Sequence, residues 1–389
     1  MMTNSQVPIN DFWNSIEMKQ ARLDMLANKP DPEVCSACLD NQDSSELPKN
    51  QYEKSGEFID QLMSNTAKDG TYEILPESYD YRISNKCNLA CRMCNAESSS
   101  RIEDSLLKTS ISQQYEIELL QKKKYLNTHF IFPELKQLIL KGIAKKLSFA
   151  SGEAFIQKDH RELLELCIKN DLARSISLHY NTNLAFSTPL LKKTLDKLEE
   201  FKAVEILISM DAVGKTAEFI RDGISWSLFC KNLEMITQYN NKFKISFAIT
   251  FTIPTLLNIF PLLKFLYLQR FPYIVSLCHD KGTSALHSPL ILDKKTLNKL
   301  LDNAEIKISF FKNKEFFKPF MSIFNQLRDA NQTSYNQFTL ISLFEKNEEL
   351  NRSFERSKLI DYYLSFKELE GWLKNLDSTS PRTQSSSTD

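Results

Sequence analysis

Six short runs rich in apolar and β-branched residues recur along this chain of 389 residues, at 79–84, 146–150, 175–180, 204–209, 244–251 and 273–278. Helix-like stretches separate them, at roughly 98–125, 157–170, 188–201, 226–239 and 256–268. Strands alternating with helices predict a parallel α/β sheet. Six such units are fewer than a closed eight-fold barrel needs. The segment 126–144 interrupts the alternation; Leu135, Leu138 and Leu140 suit an extra strand or a loop insertion. A hydrophobic content of 42% supports a sizeable core, and the length suits one barrel-sized domain with smaller pieces.

A second feature sits just after the first strand. Cys87-Asn-Leu-Ala-Cys91-Arg-Met-Cys94 has the spacing C-x3-C-x2-C, and the run Asp80–Ser84 reads as the strand that delivers it. Cubane iron–sulfur clusters take four cysteines as a rule, so three on one loop leave one iron open to another ligand. Zinc is the competing reading, but a structural zinc site wants four ligands, usually as two separated pairs. The next cysteine is Cys167 and the nearest histidine is His129.

The segment closely resembles the cluster loop of radical SAM enzymes. That resemblance implies a [4Fe–4S] cluster held by Cys87, Cys91 and Cys94, whose open iron chelates S-adenosylmethionine. It implies one-electron cleavage to a 5′-deoxyadenosyl radical and hydrogen-atom abstraction from a substrate. It also implies the family's open (β/α)6 partial TIM barrel, which matches the six units. By analogy with closed barrels, site residues are expected after the C-terminal ends of strands.

The strand ends carry further resemblances. Phe149-Ala-Ser-Gly152-Glu153 resembles the family's Gly-Gly-Glu-Pro segment, with Ser151 in place of the first Gly and Ala154 in place of Pro; Glu153 is the matching acceptor for the cofactor's amino group. His179-Tyr-Asn-Thr-Asn183 resembles a Tyr-Asn-Thr-Asn-Gly turn, which makes Asn183 a candidate; an Asn-rich turn capping a strand reads equally well. Ser209-Met-Asp211 resembles a Ser-x-Asp-Gly stretch facing the ribose, with Ala212 where Gly is usual. Arg221 lies in a Tyr-Ile-Arg-like stretch, ahead of Trp226, and either pairs with the methionine carboxylate or makes a surface salt bridge. Cys278, at the end of the sixth strand, is either a hydrogen-atom donor or an ordinary buried strand cysteine.

The N-terminus has its own pattern: Trp13-Asn14-Ser15, Met18-Lys19, Arg22 and Cys35-Ser-Ala-Cys38. Residues 11–27 read as one amphipathic helix with Asp11 as N-cap and Phe12, Ile16, Leu23 and Leu26 on its apolar face. The pattern resembles the second half of a SPASM or twitch domain, placed ahead of the barrel and lacking its first half. In those domains such cysteines serve an auxiliary [4Fe–4S] cluster. Cys35 and Cys38 alone cannot fill four cluster positions, so a recruited ligand or an empty remnant are both open readings. The Met1-Met2 start suits a truncated or misassigned N-terminus.

Composition narrows the partners. Lysine plus arginine and aspartate plus glutamate each number 49, so no global basic field favours nucleic acid. No signal peptide or membrane-length apolar stretch is evident, so a cytoplasmic protein is expected, with its 8 cysteines as ligands or free thiols. The expected organisation is a twitch-like segment at 1–70, a radical SAM partial barrel at 71–290, a mainly helical extension at 291–375 and a disordered tail at 376–389. Phe310, Phe311, Phe316, Phe317, Phe320 and Phe324 in the extension read as core packing, or as a lid. The resemblance implies a peptide or protein substrate and a flavodoxin, ferredoxin or reductase as electron donor. The alternatives are a catalytically degenerate cluster- or peptide-binding partner protein, and an enzyme acting on a sugar or nucleoside.

Overall fold

The computed structural model describes residues 8–29, 31–32, 56–82, 84–108, 132–239, 241–278, 282–330, 340, 342–345 and 358–377. Its strands are β1 (Ser78–Asp80), β2 (Ala90–Cys91), β3 (Lys146–Phe149), β4 (Ser177–Thr182), β5 (Ala203–Ser209), β6 (Arg221–Asp222), β7 (Lys244–Phe251) and β8 (Tyr273–Leu277). Six of them form one sheet in the order β1-β3-β4-β5-β7-β8, and every pairing from β3 to β8 is parallel. All six overlap the runs read from the sequence, but the first is shifted: β1 ends at Asp80, so Tyr81 and Arg82 follow the strand rather than form it. β2 and β6 pair antiparallel as a separate ribbon.

Each central strand alternates strictly. Leu178 and Tyr180 on β4, Val204, Ile206 and Ile208 on β5, and Ile245, Phe247 and Ile249 on β7 are buried. The intervening positions, among them His179, Asn181, Glu205, Ser209, Ser246 and Thr250, are half-buried. A strand's side chains alternate between faces, so one face carries the buried apolar packing and the other stays half-open, polar except for Leu207 and Ala248. Helices between the strands meet the apolar face: Phe265 of Ile259–Gln269 lies 6.2 Å from Phe247 between ring centroids. His160 of Lys158–Lys169 places Nε2 2.9 Å from the Tyr180 hydroxyl, amid Phe149 and Phe155. Burial there, then the neighbouring Arg161 and Lys197, drops the His160 pKa to about 3, so the ring is neutral.

The chain divides into two compact units. One comprises Met1–Tyr79 with Lys124–Lys145, the other Asp80–Lys123 with Lys146–Asp389. In the second, helices Lys294–Ser309, Lys318–Asp329, Leu359–Leu364 and Glu370–Asp377 follow the sheet. The phenylalanine group packs as core: Phe317, Phe320 and Phe324 are fully buried, and Phe320 and Phe324 meet Phe251 of β7. Phe310 is the exception and is exposed.

In the first unit two expectations are corrected. Residues 11–27 are not one helix but two, Ile9–Trp13 and Ile16–Leu26. Ser15, not Asp11, caps the longer one, accepting from the Met18 N–H at 3.4 Å. Its expected apolar face is not buried; Ile16 is 84% exposed. The break at Asn14 frees that side chain to clasp Tyr72, accepting from its N–H and donating to its carbonyl. Arg22 completes the clasp, with its guanidinium 4.4 Å from the Trp13 ring and donating to the Gly70 carbonyl at 2.9 Å. The awkward segment near Leu135 is also neither strand nor loop but the helix Phe132–Leu140. Phe132, Leu135, Leu138 and Ile139 are its buried side at helical spacing, and Pro133 stands in the first turn, where a missing N–H costs nothing.

Candidate metal centre

The cysteine loop is tied down at several points. The Cys87 N–H donates to Ser100 Oγ at 3.3 Å, and Ser99 Oγ donates to the Leu89 carbonyl at 2.7 Å. The β2–β6 ribbon sets Cys91 opposite Arg221, and the Arg92 N–H continues it by donating to the Ile220 carbonyl at 2.8 Å. Cys94 packs on a small core of Ala90, Ala96, Ile102 and Leu106. Met93 packs on another, formed by Ala212, Ala217 and Ile220.

Donors converge on the sulfurs. Cys87 Sγ accepts from the Leu89 N–H at 3.5 Å and from Asn183 Nδ2 at 3.8 Å. Cys91 Sγ accepts from Arg221 Nη1 at 3.9 Å. Burial pushes the Cys87 thiol up to about 11, with Glu153 and Cys94 adding to it and the Leu89 N–H and Arg221 pulling it back; burial raises Cys91 too, with Arg221 pulling it back and Cys94 and Cys87 adding to it. Thiols that mutually repel as anions while receiving N–H donors fit a bound iron cluster, whose positive irons deprotonate their ligands. Among the described residues, no three His, Cys, Asp or Glu side chains gather tightly enough for a single metal ion. Corners of a cubane stand further apart than the shell of one ion.

On one side of the loop lies the turn after β3. Gly152 has φ +60°, and a Cβ there would meet the Lys86 carbonyl oxygen at 2.5 Å. Only glycine lets this turn press against the segment entering Cys87, and the Glu153 N–H seals it by donating to Lys86 O at 2.9 Å. The Glu153 carboxylate is fully buried. It accepts from Thr182 Oγ1 at 3.1 Å, from the Asn183 N–H at 2.8 Å and from the Phe155 N–H at 3.3 Å. Burial outweighs these donors and raises its pKa to about 7. Glu153 thus orders the turn that aims Asn183, whose amide reaches Cys87 Sγ and Asn88 Oδ1.

On the other side, Asp211 and Arg221 form a buried ion pair. Arg221 Nη2 donates to Asp211 Oδ1 at 3.1 Å, and Nε lies 2.8 Å from Oδ2 without a hydrogen bond's alignment. The Thr250 N–H donates to the same Oδ1 at 2.7 Å. Burial works against the Arg221 charge, but Asp211 and then Cys91 outweigh it and hold the guanidinium's pKa above its usual value. Arg221 is therefore no surface salt bridge.

The remaining candidates are more scattered. Ser209 ends β5 opposite Ala248, on the half-open face. His179 lies there too, with Nδ1 3.4 Å from Glu205 Oε2. Cys278 follows β8 and is 2% exposed; its N–H donates to the Phe251 carbonyl and its carbonyl accepts from Ser288 Oγ. Cys35 and Cys38 lie outside the described residues. Sequence reasoning missed Thr182, Thr250 and Arg92. Thr182 and Thr250 stood at strand ends, where the barrel analogy pointed; Arg92 stood inside the cysteine motif itself.

The site is thus an α/β domain in which the turn after a parallel strand meets a three-thiol loop. Residues 81–258 match the model of the Radical SAM superfamily. Similar solved structures include SuiB of Streptococcus suis bound to S-adenosylmethionine, at 14% identity over 71% of this chain and 56% of that one, with a TM-score of 0.40. SuiB bound to its precursor peptide SuiA is 13% identical over 83% of this chain and 67% of that one, with a TM-score of 0.40. Native anSMEcpe with bound AdoMet is 18% identical over 62% of this chain and 60% of that one, with a TM-score of 0.38. No curated protein matches. No helix among the described residues is long and apolar enough to cross a membrane.

Proposed function

We propose that this protein is a radical SAM enzyme that abstracts a hydrogen atom from a peptide or protein residue. The observation that carries the reading is the three-thiol loop, with N–H donors aimed at its sulfurs, inside a matching superfamily domain. Cys87, Cys91 and Cys94 would hold a [4Fe–4S] cluster. Bound there, the cluster would supply the one electron for reductive cleavage of S-adenosylmethionine, the chemistry that makes hydrogen-atom abstraction possible.

This chain's own residues bind and orient. Asn183 and Arg221 donate to cluster thiolates, and such hydrogen bonds tune a cluster's potential. Glu153 and Asp211 act one step back, by holding Asn183 and Arg221 in place. Ser209 and the half-open polar face of the sheet line the space for cofactor and substrate. Cys278 is the candidate donor of a hydrogen atom to a substrate radical. The peptide class rests on the resemblance of the N-terminal pattern to twitch and SPASM segments; Cys35 and Cys38 of that pattern are candidate ligands of an auxiliary cluster.

One observation favours a second reading, a cluster-binding partner protein without catalysis. Glu153, the expected acceptor for the cofactor's amino group, is already engaged by three donors of the protein. Anaerobic reconstitution separates the two. The enzyme reading expects about four irons per chain, lost in a Cys87/Cys91/Cys94→Ala variant, and 5′-deoxyadenosine after dithionite and S-adenosylmethionine. Iron without 5′-deoxyadenosine would favour the partner; no iron would sink both.

A further inference from the structure

The C-terminal extension reaches the cysteine loop through a stack of three side chains. Arg92 stands inside the loop and is buried. Its Nε donates to the Phe219 carbonyl at 2.8 Å, and its guanidinium lies 4.0 Å from the centre of the Phe219 ring. The opposite partner of Phe219 is Tyr362, stacked at 3.8 Å with the ring planes 13° apart. Tyr362 belongs to the helix Leu359–Leu364, which is fixed independently: Leu359 and Tyr363 are fully buried, and the Tyr363 hydroxyl donates to the Leu286 carbonyl at 2.7 Å. Asn258 Nδ2 donates to the Tyr362 hydroxyl at 2.9 Å and sets the ring's tilt.

We propose that Tyr362 is a positioning residue for the cysteine loop. Through Phe219 and Arg92 it braces the stretch Cys91–Cys94, so that the C-terminal extension sets how firmly the loop keeps its shape. The ribbon explains why a brace at this point matters. Arg92 and Cys91 are tied to Ile220 and Arg221 by backbone pairing. Whatever steadies Phe219 therefore steadies two consecutive residues of the thiol loop. A ring sandwiched between a guanidinium and a second ring gains from both contacts.

The test is hydrogen exchange on the full, metal-free chain, with Tyr362→Ala and Tyr362→Phe compared to wild type. Tyr362→Phe keeps the stack and loses only the hydroxyl's bond to Asn258, so it is expected to stay far closer to wild type than Tyr362→Ala. Tyr362→Ala is expected to speed exchange at the Arg92 amide and in peptides spanning 219–222 by about tenfold, the size of a lost aromatic and cation contact. Peptides of β4 and β5 stay unchanged, because Leu359 and Tyr363 still hold the helix. Wild-type exchange at Arg92 in Tyr362→Ala, or equal acceleration in β4 and β5, overturns the brace. A second arm rests on the radical SAM reading: after reconstitution, Tyr362→Ala loses iron to a chelator faster than Tyr362→Phe. Wild type that takes up no iron would defeat that reading, and the exchange arm would still judge the brace.

Discussion

Glu153 and Asp211 are both closed off from water, and both stand shortly past the end of a sheet strand, yet they are answered differently. Glu153 receives only neutral donors: a hydroxyl and two backbone N–H groups. Asp211 receives a guanidinium and one backbone N–H. The first arrangement leaves a carboxylate that titrates near neutral pH, because three dipoles do not repay its desolvation. The second leaves a charged pair, with the arginine held protonated beside a cysteine. The two flanks of the loop thus offer a cluster different surroundings: a titratable turn behind Cys87 and a permanent cation behind Cys91.

The comparison breaks most sharply at Arg221. Arg221→Met strands a buried carboxylate, and we expect a loss of about 3–5 kcal/mol in denaturant unfolding. Adding Asp211→Asn should restore much of that loss; no recovery would show that the pair does not act as a unit. Gly152→Ala comes next. It forces a left-handed residue and a Cβ against the Lys86 carbonyl, which should cost about 1–3 kcal/mol and lower iron uptake on the Cys87 flank. A variant with wild-type stability and iron content would show that the turn can retreat freely.

A smaller effect is set by pH. Glu153 binds its proton more tightly folded than unfolded, since its pKa rises from 4.5 to about 7. The contribution favours the folded state below pH 4.5 and is lost as pH rises to about 7. Within that window the slope is about 1.4 kcal/mol per pH unit. Glu153→Gln should remove this slope from the stability profile, whereas Asp211→Asn should not. The smallest change is expected from Thr182→Val. It deletes the hydroxyl that donates to both Glu153 oxygens, and should cost about 1 kcal/mol while moving the Glu153 titration higher. Unchanged titration in this variant would assign the shift to burial alone.

Much of this was legible in the residues. The six strands, the cysteine spacing and the positions of Gly152, Glu153, Asn183 and Asp211 after strand ends all follow from local patterns. Where local patterns competed, reading failed. At the N-terminus, Phe12, Ile16, Leu23 and Leu26 fall near helical spacing, but the helix ends after Trp13 so that Asn14 can clasp Tyr72, 58 residues away. Near Leu135, a leucine run at mixed spacing hid a helix that Phe132 and Ile139 complete.

The sequence by itself determined the run of parallel strands and that three thiols share one loop, because backbone periodicity and cysteine spacing act between near neighbours. Only the tertiary structure decided what each polar group does. Glu153 meets Asn183 across 30 residues, Arg221 meets Cys91 across 130, and Tyr362 meets Phe219 from another part of the chain. Burial sets the strength of each of these contacts, and burial is a property of the packed fold rather than of any stretch of residues.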